Sequence, residues 1–148
     1  MAADRRRDPE ELSRTAGGAA VLLDSNFLFV PLRFGVDIFE EFQRLLGRTP
    51  HCLVPRPIIE ELRHLRIDAK PSFEKEIDFA LDLANRCELL DEGLLHGEEV
   101  DDFILRLAVE NGWPVATNDS SLRRRLRRAG VLVIYLRQQA FLEIDGLV

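Results

Sequence analysis

Short apolar segments alternate with longer amphipathic segments along most of the chain. The short segments are rich in aliphatic residues, which is typical of strands buried in a sheet, and they cover 19–24, 51–55, 87–91, 113–119 and 131–137. Between them, apolar residues recur every three or four positions, as on one face of a helix, over 36–47, 57–66, 72–86, 98–112 and 120–130. This alternation predicts an α/β domain with a parallel sheet.

Glycine and proline mark the ends of several elements. Gly47 and Gly112 each follow the last apolar position of a helical segment, and Pro57 fits a first helical turn. The last ten residues favour neither helix nor strand. Residues 1–18 are polar and end in a glycine pair, so we expect a disordered or frayed arm there and a single folded domain over 19–148.

The composition fits a soluble domain with its own core. The chain has 148 residues, of which 46% are hydrophobic. No apolar run approaches the roughly 20 residues that span a bilayer, and the polar start of the chain lacks the apolar block of a signal peptide. These features predict a cytoplasmic protein without a membrane partner.

The cysteines and histidines show no metal-ligand spacing. Cys52 and Cys87 each lie beside a strand-like run without a CxxC pattern, which favours buried thiols over a zinc site or a disulfide. His51, His64 and His96 are scattered, so each is interpreted as structural or exposed. The candidate chemistry therefore rests on carboxylates.

Two aspartates follow predicted strands in matching contexts. Asp24 ends the first strand in AVLLDSN, and Asp119 ends the fourth in VATND. Ligands of open parallel sheets bind beyond the carboxyl ends of strands, where neighbouring connections leave in opposite directions. If these two strands are adjacent, both carboxylates face one crevice. The alternative is that each aspartate caps a helix or forms a turn, which is its common role after a strand.

Helical periodicity selects two further carboxylates. In the helix after the second strand, Glu61 lies on the apolar face, where a carboxylate is costly without a charged partner, whereas Glu60 points about 100° away. In the helix after the third strand, Asp101 borders the apolar stripe and Asp102 points nearly opposite. The alternative for this segment is that first-turn acids complement the helix dipole, which explains the acidic pair 98–99.

Four carboxylates in one crevice would repel one another, because like charges raise each other's pKa. A hard divalent cation would relieve this repulsion, and oxygen ligands without a cysteine or histidine pattern suit Mg²⁺ or Mn²⁺ rather than zinc. Such a site binds phosphate esters, orients a water molecule and stabilises charge on the leaving oxygen. The candidate ligands are Asp24, Glu61, Asp101 and Asp119.

Charges are unevenly distributed along this chain of net charge −6. Five arginines crowd the predicted helix at 120–130, directly after the fourth strand. We expect its first turn, with Arg123 and Arg124, to contact the phosphate groups of a bound ligand. The alternative is a solvated helix face whose later arginines, Arg127 and Arg128, favour the C-terminal end of the helix dipole.

Taken with these features, the chain resembles the PIN domain family, whose ribonuclease fold is shared by VapC toxins and by nucleases that cleave pre-rRNA. The resemblance covers residues 20 to about 137 and is carried by VLLDSNFL, VPRPIIEEL, DDFILRLAVENG and VATNDSSLRRRLRRAGVLVIYL. The 18-residue interval from Asp101 to Asp119 is close to the usual spacing of the family. The last segment is similar to the rRNA-processing branch and its archaeal relatives more than to typical VapC toxins.

This resemblance implies both a fold and an activity. The implied fold is a single α/β domain with a five-stranded parallel sheet of order 3-2-1-4-5 and helices on both faces. The implied activity is RNA hydrolysis that depends on Mg²⁺ or Mn²⁺, with the four acids as catalytic and metal-binding residues. The resemblance also implies that Asn26 and Thr117 hold the acidic side chains by hydrogen bonds, and it makes Asp102 a candidate supporting acid.

The expected function is a metal-dependent endoribonuclease acting on structured RNA, with pre-rRNA as a candidate substrate. A VapC-type toxin inhibited by an antitoxin chain is an alternative with the same chemistry, and a homodimer is a candidate assembly. A non-catalytic RNA-binding or assembly factor belongs to a different class, and the complete set of acids argues against it. The chain also lacks the GxxxxGK and GxGxxG patterns of nucleotide-binding loops.

Overall fold

A single sheet of six strands organises the fold, which we describe from a computed structural model. The structure describes residues 20–146, so the arm expected over 1–18 lies outside the described residues. The strand order is β3-β2-β1-β4-β5-β6, and all neighbours are parallel except the last pair. The strands are β1 (Ala20–Leu23), β2 (His51–Pro55), β3 (Glu88–Leu90), β4 (Val115–Ala116), β5 (Val133–Arg137) and β6 (Phe141–Asp145).

The five predicted strands and their order 3-2-1-4-5 are confirmed, and β6 adds an antiparallel edge strand that the sequence did not predict. A tight turn reverses the chain before β6, with φ at 55° for both Gln138 and Gln139. Such turns usually carry Asn-Gly or Asp-Gly, because few other residues adopt positive φ readily. The Gln-Gln pair gives no such signal, which is why the hairpin was missed.

Within residues 20–146, six α-helices connect the strands. The predicted helices are present, with ends that differ from the predicted ones by a few residues. Gly47 and Gly112 follow two of them with φ of 74° and 69°, a left-handed conformation that glycine adopts without steric cost. The helices are α1 (Val30–Phe34), α2 (Ile38–Leu46), α3 (Arg56–Ile67), α4 (Pro71–Ala84), α5 (Val100–Asn111) and α6 (Ser120–Arg128).

The segment directly after β1 is also helical, which the hydrophobic pattern did not predict. A 3₁₀ helix over Ser25–Phe29 leads into α1, and Phe27, Leu28 and Phe29 are buried. A run that is apolar on all sides lacks the amphipathic period from which a helix is recognised. The 3₁₀ helix turns the chain sharply at the carboxyl end of β1, next to Asp24.

The core surrounds the central strands. All four residues of β1 are fully buried, and because successive side chains point to opposite faces, both faces of the sheet are covered. Trp113, Phe27, Phe42 and Phe103 are the largest fully buried side chains. Within residues 20–146, no helix is both long and apolar enough to cross a bilayer.

Candidate active site

The site lies where the direction of chain connections reverses in the sheet. β1 and β4 are neighbours, with Leu22 opposite Val115 and Leu23 opposite Ala116. Their carboxyl ends therefore meet at one edge, and the Asp24 amide still donates to the Ala116 carbonyl at 3.0 Å. Crevices at such switch points are the usual ligand sites of open α/β sheets.

Asp24 is held in one orientation by three hydrogen bonds. Its Oδ1 accepts from the Ser25 amide at 2.8 Å, and its Oδ2 accepts from the Thr117 hydroxyl at 2.7 Å and from Asn26 Nδ2 at 2.9 Å. The side chain is only 5% exposed, and Thr117 is fully buried. The structure thus brings together the two supporting residues implied by the family resemblance, Asn26 and Thr117, around Asp24.

A chain of amide contacts fixes the loop after β4 to the loop after β1. Asn26 Oδ1 accepts from the Asn118 amide at 2.9 Å, and Asn118 Oδ1 accepts from the Leu136 amide at 2.8 Å. The Asp119 amide donates to the Thr117 hydroxyl oxygen at 3.1 Å. These bonds couple three strand ends, so the position of Asp119 relative to Asp24 depends on the β-sheet.

The environment of Asp24 opposes its ionisation. Burial raises the pKa of Asp24 to about 6, although the hydrogen bonds from Thr117 and Ser25 lower it, and the charges of Asp101 and Glu61 raise it further. A buried carboxyl group near other carboxylates loses hydration and gains repulsion when it ionises. Such perturbation is characteristic of functional sites.

Glu61 is placed by α3 on the side that faces Asp24. The Ser25 hydroxyl donates to Glu61 Oε1 at 3.3 Å, and burial followed by the Asp101 charge raises the pKa of Glu61 above its ordinary value. Its neighbour Glu60 is 64% exposed and forms an ion pair with Arg56 at 3.1 Å. The two glutamates therefore lie in different environments, with Glu61 at the cleft and Glu60 in solvent.

The first turn of α5 supplies the next acids. Burial raises the pKa of Asp101, the Asp119 charge raises it further, and the Arg125 guanidinium lowers it. Asp102 is exposed and forms an ion pair with Arg125 of α6. Asp101 is thus the more buried of the two acids, while the Asp102 carboxylate is paired with the Arg125 guanidinium.

Asp119 has a structural role as well as a place in the cleft. Its Oδ1 accepts from the Leu122 amide at 2.9 Å, which caps the N-terminus of α6. The alternative considered from the sequence, a helix cap, therefore describes its local geometry. The same side chain faces Asp101 closely enough to raise the pKa of that acid.

All four predicted acids line one open cleft of about 700 Å³. The cleft also contains three polar or charged residues that were not predicted as site residues, Ser25, Glu99 and Arg125. A serine after a strand is too common to predict a site residue. Arg125 is one of five clustered arginines, and the sequence does not indicate which of them faces the cleft. The full lining is Asp24, Ser25, Asn26, Glu61, Glu99, Val100, Asp101, Asp102, Asp119 and Arg125.

The donor chemistry of this cleft fits a hydrated hard cation. Within the part of the chain that the structure describes, no three His, Cys, Asp or Glu side chains are arranged as a group that could enclose a metal ion. Mg²⁺ commonly keeps several waters and is held through one or two carboxylates, so it does not require such a group. The carboxylates of raised pKa, Asp24, Glu61 and Asp101, supply only oxygen ligands, which a hard cation prefers.

Arg123 and Arg124, the two arginines expected to contact RNA, differ in their surroundings. Arg123 forms an ion pair with Asp145 at 2.8 Å and stacks on the Tyr135 ring at 3.6 Å from its centroid. Arg124 is exposed on α6. Neither lines the cleft, whereas Arg125 does.

Comparison with known proteins places this geometry in a family. Residues 21–139 match the model of the PIN-like domain. Ribonuclease VapC4 of Methanocaldococcus jannaschii is 30% identical over 131 residues, which cover 86% of this chain and 98% of that protein. The solved structure of the PIN domain endonuclease Utp24 superposes with a TM-score of 0.73 at 26% identity, covering 87% of this chain and 92% of that one. The chain belongs to the PIN-like domain family.

Proposed function

We propose that this protein is an endoribonuclease that hydrolyses phosphodiester bonds of structured RNA with the help of Mg²⁺ or Mn²⁺. The observation that carries the proposal is that Asp24, Glu61, Asp101 and Asp119 line a single cleft at the sheet's switch point. The matches to a ribonuclease and to a PIN domain endonuclease support the same reaction. PIN domain nucleases generally use divalent metal ions, which supports the metal requirement.

In this proposal, the four acids hold the cation and their polar neighbours orient Asp24. Asp24, Glu61, Asp101 and Asp119 would hold the cation, which when bound supplies a Lewis acid that polarises the phosphate and a bound water of lowered pKa. Thr117, Asn26 and Ser25 orient Asp24 through its three hydrogen bonds. Rigid orientation matters because small misplacements of reacting groups cost large factors in rate.

The positive charge for RNA comes from one side of the cleft. Arg125 lines the cleft beside Asp102, and Arg124 is exposed on the same helix. Both can neutralise phosphates of a bound strand. Contact by Arg123, also proposed from the sequence, requires that its ion pair with Asp145 open.

Pre-rRNA is the substrate that we propose first, on the basis of the resemblance of residues 115–137 to the rRNA-processing branch. A toxin ribonuclease controlled by an antitoxin chain is the second candidate, and the name of the archaeal relative favours it. We propose action in the cytoplasm, and a homodimer as the assembly to test. An assembly factor without activity is disfavoured because it has no use for several acids of raised pKa in one cleft.

Incubation with end-labelled RNA tests the proposal. Structured rRNA fragments and unstructured oligonucleotides are treated with Mg²⁺, with Mn²⁺ or with a chelator, and the product ends are mapped. We expect internal cuts in structured RNA that need the added cation. No internal cleavage by well-folded protein under any of these conditions would contradict the proposal. Growth arrest on expression, relieved by a co-expressed neighbour chain, would favour the toxin.

A further inference from the structure

The two cysteines of the chain face each other across neighbouring strands. Leu53 of β2 lies opposite Glu88 of β3 in a parallel pair, so the preceding residues, Cys52 and Cys87, lie opposite one another. Residues opposite each other in parallel strands project from the same face of the sheet. Strands lie about 4.8 Å apart, which falls within the roughly 4.4–6.8 Å between Cα atoms that a disulfide spans.

Both thiols are buried and lie close together. Each is 5% exposed, and neither takes part in a disulfide bond. The Cys52 thiol is hydrogen-bonded to Cys87, whose own Sγ donates to the Leu83 carbonyl at 3.6 Å. The hydrogen bond to Cys87 and then burial raise the pKa of the Cys52 thiol. A raised pKa slows attack by the thiol at neutral pH, since the thiolate is the reactive form.

A small reagent can reach the pair from solvent. An open cleft of about 370 Å³ is lined by both cysteines and by neighbouring residues such as His51, Arg86 and Glu88. It lies at the amino ends of β2 and β3, whereas the carboxylate cleft lies at the carboxyl ends of the strands. The thiols are therefore separate from the active site.

We propose that Cys52 and Cys87 are an oxidation site at which hydrogen peroxide joins β2 to β3 through a disulfide bond. One thiolate attacks a peroxide oxygen and breaks the O–O bond, which forms a sulfenic acid and releases hydroxide, protonated to water. The second thiol then displaces the sulfenic oxygen as a second water, forming the S–S bond. Two thiols are oxidised by two electrons, and one peroxide is reduced to two waters.

The bond would restrain a defined part of the fold. β3 has only three residues and forms an edge of the sheet. The closed loop would contain residues 53–86, which include α3 with Glu61 and all of α4. Closing a loop of this length stabilises a domain mainly by restricting its unfolded state, so we expect the melting temperature to rise by about 10 °C.

The test compares reduced and peroxide-treated full-length protein. Intact mass spectrometry should show the loss of two hydrogen atoms, and a proteolytic digest should contain a peptide pair joining Cys52 to Cys87. The melting temperature should rise and return on addition of a reductant. Oxidation should be faster at alkaline pH, because more thiolate is present. Addition of oxygen atoms without an intramolecular link, or a disulfide between two molecules, would overturn the proposal.

Cys52→Ser and Cys87→Ser are matched controls. Each leaves one thiol, so peroxide should add oxygen to the remaining cysteine and should not raise the melting temperature. An equal thermal shift in either variant would overturn the link between stability and the disulfide. The mass and peptide measurements on the unsubstituted protein do not depend on whether these variants fold.

Discussion

The Thr117 hydroxyl donates a 2.7 Å hydrogen bond to Asp24 Oδ2 and so joins the ends of two central strands that are 93 residues apart in the chain. This bond lowers the pKa of Asp24, while burial raises it. Thr117 also accepts from the Asp119 amide at 3.1 Å. The buried Thr117 hydroxyl therefore contacts two of the four proposed catalytic acids. It bonds to the carboxylate of Asp24 and to the backbone amide of Asp119.

Thr117→Val is predicted to move the acid limb of the pH–rate profile to higher pH. Valine has a similar shape but no hydroxyl, so the ionised form of Asp24 loses a hydrogen bond. Bonds to charged groups contribute about 1.5–3 kcal/mol, and about 1.4 kcal/mol corresponds to one pKa unit, so the limb should move by roughly one to two pH units. Thr117→Ser keeps the hydroxyl and should retain the original profile. An unchanged acid limb in the valine variant would show that Thr117 does not control Asp24.

Stability without divalent ions should fall as the pH rises. The pKa of Asp24 in the folded protein is about 6, against an ordinary value of 3.8, so the folded state binds this proton more tightly. The resulting stabilisation is fully present below about pH 4 and is lost as the pH rises through about 6. The difference between the two pKa values corresponds to about 3 kcal/mol in the free energy of unfolding.

Asp24→Asn isolates this contribution, since Glu61 and Asp101 also have raised pKa values and act in the same direction. Urea unfolding in the presence of a chelator should show the asparagine variant gaining on the unsubstituted protein as the pH increases. If the asparagine variant loses a hydrogen bond, its free energy of unfolding is lowered by the same amount at every pH, so the trend with pH is unchanged. Parallel curves from about pH 4 to pH 7 would contradict the raised pKa.

Glu61→Gln and Glu60→Gln form a matched pair of adjacent substitutions. Glu61 lines the cleft, and Glu60 is exposed beside Arg56. Even outer-shell partners of metal ligands cost about 10- to 100-fold when they are removed, so Glu61→Gln should reduce cleavage by at least about 10-fold. Glu60→Gln should retain nearly full activity. Steady-state cleavage rates decide the matter, and equal losses would refute a special role for Glu61.

Helical periodicity distinguished Glu61 from Glu60 and Asp101 from Asp102, because an apolar stripe fixes which side of a helix faces the core. The alternation of elements predicted a parallel sheet, the family resemblance implied its strand order, and the structure confirms that order. Helical periodicity indicates which residues are buried, but it does not indicate which side chains contact one another. Nothing in the spacing of the arginines indicated that Arg123 would pair with Asp145 while Arg125 entered the cleft.

The features that the sequence did not reveal depend on contacts distant in the chain. β6 is stabilised at its outer edge by α2, where Arg44 donates to the Leu142 carbonyl at 2.8 Å and the Leu142 amide donates to Glu41 at 2.9 Å. These partners are about 100 residues apart in the chain, so no local sequence pattern predicts their contact. Asn118 likewise gives no local signal, because its Oδ1 accepts from the Leu136 amide 18 residues further along the chain.

Arginines of α6 are predicted to contribute unequally to RNA binding. Arg125→Gln and Arg124→Gln should each weaken binding and reduce the slope of log affinity against log salt by about 0.7, the loss of one phosphate contact with a single strand. Arg128→Gln removes the same charge from an exposed position on the last turn and should leave the slope unchanged. Arg123→Gln should lower the melting temperature, because Arg123 contacts Asp145 and Tyr135. Equal slopes for all variants would show that these arginines do not contact RNA phosphates and belong to a solvated helix face.

The most direct test of the proposed reaction is the single-turnover cleavage rate of end-labelled structured RNA by Asp119→Asn in the presence of Mg²⁺ or Mn²⁺. Asparagine is as good a helix N-cap as aspartate, so the variant should keep the cap of α6 and its melting temperature while losing the carboxylate charge. We predict a rate at least about 100-fold below that of the unsubstituted protein, as for loss of a catalytic group, and the same loss for Asp24→Asn. A folded Asp119→Asn variant with full activity would contradict the claim that this carboxylate cleft cuts RNA.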